Sequence, residues 1–106
     1  MASTEEYLLY VLDLLSLSDG IAFRPMMGEY VLYAEGRVIG GVYDDRFLLK
    51  DLPAVRALLK DAIAEPPYPG AKPMLLIDTE DRTLLREVVT AAVDALPPPK
   101  PKKSKA

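Results

Sequence analysis

Between Arg24 and Lys50 the chain strings together runs rich in β-branched and aromatic residues, broken only by compact turns. Tyr30-Val31-Leu32-Tyr33 is followed by Glu35-Gly36, a pair suited to a hairpin because glycine takes positive φ without steric cost. Val38 to Tyr43 then returns antiparallel, and Asp44-Asp45-Arg46 turns the chain into Phe47-Leu48-Leu49-Lys50. Ile21 to Met27 leads into this meander, and Pro25, lacking an N–H to give a ladder, marks an edge position or a bulge. A chain carrying such a segment must bury one face of a sheet, and the flanking segments have to supply the cover.

They have the periodicity to do so. Ser3-Thr4-Glu5-Glu6 has the form of a capping box with Ser3 as the cap, and Leu8, Val11, Leu12 and Leu15 follow at helical spacing, with Ser18-Asp19-Gly20 as the stop. Asp51 and Pro53 open a second helix with the stripe Val55, Leu58, Leu59, Ala62 and Ile63. The four prolines of Glu65–Pro73 enforce a stiff loop, and Met74-Leu75-Leu76-Ile77 reads as a further strand that is apolar on both faces. Thr79 is the expected cap of a last helix carrying Glu80 and Asp81 in its first turn. Leu84, Leu85, Val88, Val89, Ala92, Val93 and Leu96 should make that helix the best-buried element. The expectation is an α+β domain over residues 1–96, with a mostly antiparallel sheet of about five strands, three helices and the order α-β-β-β-β-α-β-α. A disordered Pro/Lys-rich tail occupies residues 97–106.

At 106 residues there is room for one ordinary domain, and no apolar run approaches the length of a membrane span. The acidic start, with Glu5 and Glu6, is unlike a secretory signal, so the expected location is cytoplasmic. The chain has no cysteine and no histidine. Disulfides, thiol nucleophiles and conventional triads are thereby excluded, and neither a metal nor any other cofactor is expected. Nine basic and sixteen acidic residues precede Lys100, a net charge of −7 that disfavours DNA binding by the folded part. Lys100, Lys102, Lys103 and Lys105 in the tail leave weak polyanion contact open.

Gly40-Gly41 sits inside a strand, where glycine weakens the sheet unless a bulge, a packed ring or a ligand's approach compensates. Asp44-Asp45 offers too few oxygens, in diverging directions, for a calcium loop. Tyr30, Tyr33, Tyr43, Phe47 and Tyr68 concentrate aromatic surface on the sheet and the proline loop, either as packing or as an interface with nearby arginines. The candidate interaction surface is where Arg24, Glu29, Tyr30 and Tyr33 meet the Tyr68–Lys72 loop, and a protein is the expected occupant. A small-ligand or enzymatic pocket bounded by Arg24, Glu29, Tyr68 and Lys72 is an alternative. Monomer and homodimer are both open, the latter through an exposed edge near Pro25 or Phe47.

The series Met26-Met27-Gly28-Glu29-Tyr30, Leu32-Tyr33, Gly36-Arg37-Val38, Asp44-Asp45-Arg46-Phe47-Leu48-Leu49-Lys50 and Pro69-Gly70-Ala71-Lys72-Pro73-Met74 resembles the N-terminal domain of the TfoX/Sxy family. Met27, Val31 and Ile39 depart from that family's usual Phe, Gly and Phe. The resemblance implies a secretion-chaperone-like α/β fold and a non-enzymatic transcriptional co-regulator of competence. Its full-length members add a helical C-terminal domain, whereas this chain continues into a lysine tail.

Overall fold

A computed structural model describes residues 3–97; the tail lysines Lys100, Lys102, Lys103 and Lys105 lie outside the described residues. The elements in order are α1 (Glu5–Leu14), β1 (Ile21–Met26), β2 (Glu29–Ala34), β3 (Arg37–Val42), β4 (Phe47–Leu49), α2 (Pro53–Leu58), β5 (Ala64–Glu65), β6 (Met74–Leu76) and α3 (Arg82–Ala95). All strands join one antiparallel sheet in the order β1-β2-β3-β4-β6-β5. The α+β architecture with three helices is as the sequence predicts, except that the sheet has six strands, not about five. The added strand is β5, two residues that pair Ala64 with Leu75 and Glu65 with Met74.

Strand alternation divides the sheet into two faces. The inner face carries Leu32, Val42, Phe47, Leu49 and Leu75, which form one cluster with Leu8, Val11 and Leu15 from the first helical segment, Val55 of α2, and Leu85, Val88, Val89 and Ala92 of α3. A β-bulge between β2 and β3 pairs Leu32 with Gly40 but Tyr33 with Val38, so Ile39 is left over and drops into this core, fully buried. The outer face holds a smaller buried group, Val31, Leu48 and Tyr43, outside that cluster.

Both glycines of β3 are explained by close packing. A Cβ on Gly40 would strike the carbonyl oxygen of Leu48 and come within 2.7 Å of Leu49 Cα, so β4 can lie this close only against glycine. A Cβ on Gly41 would lie 2.6 Å from Tyr30 O and would run into the Tyr43 ring, which covers the position.

Several local expectations need correcting. Thr4, not Ser3, caps α1, its Oγ1 accepting from the Tyr7 N–H at 3.1 Å. Asp81, not Thr79, caps α3, accepting from Leu84 N–H at 3.0 Å; Glu80 and Asp81 consequently precede the helix rather than fill its first turn. Thr79 Oγ1 instead accepts from the Asp81 N–H. Helix α2 stops at Leu58, because Leu59 leaves helical geometry at φ −121°, ψ 66°; Ile63, placed on its buried stripe by periodicity, is exposed. The best-buried element is β4, whose three residues are all buried, while α3 keeps a solvated face. Phe47 is therefore central, and of the two suggested edges only that at Pro25 exists.

Candidate functional site

The outer face is partly roofed by the proline loop, and a single side chain holds that roof down. Arg46 follows the tight turn Asp44-Asp45, in which both aspartates have positive φ (54° and 55°), the mirror-image geometry that suits a two-residue hairpin. From there its guanidinium donates to Tyr43 O (3.2 Å), Pro66 O (3.3 Å), Pro67 O (3.0 Å) and the Glu65 carboxylate (2.8 Å). A rigid fork with five N–H donors is the one side chain able to gather so many acceptors at once. The clamp buries Pro67 and sets the Tyr68 ring 6.3 Å from that of Tyr43.

Between this loop and the sheet lies a cleft of about 750 Å³. Tyr43, Tyr68, Pro67, Pro73, Met74 and Leu52 supply apolar wall, Val38 and Gly40 belong to the adjoining strand, and Lys50 and Lys72 stand at the lining as cations. Neither lysine is in an ion pair among the described residues, whereas the lining's acid, Asp51, is held by Arg56 at 2.7 Å. That guanidinium keeps the Asp51 carboxyl below its ordinary value. On a body of net charge −7 the cleft therefore presents two free positive charges beside aromatic and proline surface. Burial pushes the Tyr43 phenol above its ordinary value, with the neighbouring Tyr68, Glu29 and Tyr33 adding to the shift.

The residues singled out from sequence separate into three groups. Tyr68 and Lys72 line the cleft, and Tyr33 lies near its Tyr43 wall. Arg24 and Glu29 share the outer face by strand alternation but are not among the residues lining this cleft, which therefore differs from a pocket bounded by Arg24, Glu29, Tyr68 and Lys72. Tyr30 turns inward and meets Phe23 edge-on at 5.9 Å.

Glu29 has another task. Its Oε1 accepts from Ser3 Oγ at 2.6 Å and from the Asp44 N–H at 3.1 Å. Ser3 Oγ in turn accepts from Asp45 N–H (3.0 Å), Ser3 N–H donates to Gly28 O (3.0 Å), and Thr4 N–H donates to Asp45 Oδ1 (2.8 Å). This latch joins the start of α1 to the β1–β2 and β3–β4 turns. Tyr43, Arg46 and Lys50 were not singled out as a group from sequence; the signal available was their place on either side of a turn facing a proline-rich loop.

Among the described residues no group of three or more acidic side chains is gathered as a metal site, and no helix is long and apolar enough to cross a membrane. No family model matches the chain, and no solved structure matches it. A curated relative does: the "Uncharacterized 12.7 kDa protein in trpE 5'region" of Spirochaeta aurantia is 34% identical over 107 residues, covering 99% of this chain and 93% of that protein.

Proposed function

The chain belongs to the same family as that 12.7 kDa spirochaetal protein, and from this premise we propose that it is a non-enzymatic interaction module that receives a protein partner in its outer cleft. The observation that carries the reading is the pairing of Tyr68 with unpaired Lys50 and Lys72 around the cleft beneath the loop that Arg46 anchors. The segment such a surface fits is extended and acidic, with one aromatic or branched apolar side chain to seat against Tyr43, Tyr68 and Met74. Interface binding of this kind uses the apolar anchor for affinity and the lysines for orientation and encounter rate. The TfoX/Sxy resemblance adds the setting, a cytoplasmic co-regulator of transcription working through another protein rather than by base contacts.

Selection of binders from a random peptide display library, with the full chain as bait, tests this. Enrichment should favour acidic peptides carrying an aromatic or branched apolar residue. Tyr68→Ala and the double variant Lys50→Glu/Lys72→Glu should each weaken the selected peptide at least tenfold. Enrichment without acidic residues, or undiminished binding by the lysine double variant, would refute the proposal. A small planar anion that fills the cleft and displaces every peptide would replace it with the ligand-binding alternative.

A further inference from the structure

Among the described residues strand β1 has no neighbour on its far side, and its backbone geometry defines what fits there. Met27 and Gly28 form a two-residue loop with both φ positive (53° and 85°), flanked by the paired residues Met26 and Glu29. In such a hairpin the flanking pair exchanges hydrogen bonds, and bonded and non-bonded pairs alternate from there. The Glu35 N–H to Gly20 O bond, 3.0 Å, falls where this alternation requires one. Ala22, Arg24 and Met26 thus aim N–H and C=O at β2, while Ile21, Phe23 and Pro25 aim theirs outward. Pro25 occupies a position whose missing N–H is not needed by β2. The outward side also exposes apolar side chains: Phe23 is 45% exposed, Met26 47% and Met27 96%.

We propose that this edge pairs with β1 of a second copy of the chain, antiparallel about a two-fold axis through Phe23, so that two sheets become one. The register follows from the backbone geometry. Gly20 and Met27 leave extended geometry at positive φ, which confines pairing to residues 21–26. With Phe23 facing Phe23, the central pair exchanges both of its hydrogen bonds, and each Ile21 N–H reaches a Pro25 carbonyl of the other copy. Moving the axis to Ala22 shortens the ladder to residues 21–23, and moving it to Arg24 sets two guanidinium groups directly opposite each other, which is destabilising.

Charge selects the same arrangement. Arg24 has no ion pair among the described residues. With the axis at Phe23 it stands opposite Ala22 of the second copy, towards Gly20, whose Cβ position lies 3.0 Å from a Glu35 carboxylate oxygen. A free cation on each copy is thereby brought towards an acid of the other. The far edge, β5, is two residues long and offers too little ladder to continue, so assembly closes at two copies.

Because the chain contains no cysteine, the register can be trapped cleanly. Facing residues of a bonded antiparallel pair have Cα atoms about 5.5 Å apart, within disulfide range. Phe23→Cys should therefore give a covalent dimer in a glutathione redox buffer, while Tyr68→Cys should not. Sedimentation equilibrium of the full chain should show a monomer–dimer equilibrium whose dissociation constant rises at least tenfold in Arg24→Glu and returns towards the starting value when Glu35→Arg is added. A monomer at every concentration overturns the proposal, as does a dimer that Phe23→Cys fails to trap or that Arg24→Glu leaves unchanged.

Discussion

Replacing Arg46 with alanine isolates the clamp on the proline loop. The substitution removes three bonds to carbonyl oxygens and one to the Glu65 carboxylate. Bonds from a charged donor are each worth about 1.5–3 kcal/mol when desolvated. Here the arginine side chain is 28% exposed and its acid 36%, so water replaces part of what is lost and the ion pair itself counts for less than about 1 kcal/mol. The expected loss is about 2–3 kcal/mol. In a domain of this size that lowers Tm by about 10–20 °C. Urea unfolding followed by circular dichroism and tyrosine fluorescence measures the global term. Amide exchange over residues 64–73 should show the loop opening before the sheet. Glu65→Gln, which leaves the three carbonyl bonds in place, should cost under about 1 kcal/mol. The reasoning fails if Arg46→Ala loses less than about 0.5 kcal/mol, a change typical of surface substitutions without such contacts. It fails equally if Glu65→Gln costs as much as Arg46→Ala, because an ion pair rather than a carbonyl clamp would then hold the loop.

Three further outcomes follow from the geometry. Gly40→Ala forces a Cβ into the backbone of β4 and should lower stability by more than about 3 kcal/mol, read by denaturant midpoint; Gly70→Ala, where a Cβ meets nothing within 4 Å and only the positive φ of 87° costs, should lose distinctly less. Asp81→Ala should cost about 1 kcal/mol by removing the true cap of α3, and Thr79→Ala distinctly less, which thermal melts of the two variants will rank. Folding raises the Tyr43 phenol above its ordinary value of 10.0, so its contribution is complete below that pH and is lost as pH climbs through the raised value. Urea titrations between about pH 9 and pH 11 should therefore show a shallower fall in stability for Tyr43→Phe than for the parent chain.

What could be read in the sequence was whatever near neighbours decide. The Glu35-Gly36 hairpin, with φ of 53° and 79°, and the meander around it depend on a few adjacent residues and stand where expected. β5 escaped because Ala64–Glu65 is extended only by virtue of its partner Met74–Leu75, with no apolar alternation of its own. The α2 stripe was overextended for a related reason: Leu59 and Ala62 do pack against the core, but from a turn rather than from a helix. For Ser3, two hydroxyl roles competed. The capping pattern was local and visible, while the acceptor that won, Glu29, lies 26 positions away. The site shows the same divide. Tyr68 and Lys72 were legible because a proline-rich loop must be exposed somewhere. Arg46 was not, because three of its four acceptors are backbone carbonyls, which carry no residue signature, and its one acidic partner, Glu65, lies 19 positions on.

The latch between Ser3, Glu29 and Asp45 also sets a schedule for synthesis. The segment holding α1 is made before the sheet, yet both acidic partners of its start are made later, Asp45 being 42 positions behind Ser3. At about 5–20 residues per second, those positions take about 2–8 s to translate. Over that interval Leu8, Val11 and Leu14 have at most a growing part of the sheet to cover, and the nascent helix waits with its apolar side open. Completion of the Asp44-Asp45 turn ends the wait: the Asp45 N–H donates to Ser3 Oγ, the Asp45 carboxylate accepts from the Thr4 N–H, and the Asp44 N–H donates to Glu29. Helix α1 is thus fastened only after β1, β2 and β3 have been made, and before β4, α2, β5, β6 and α3.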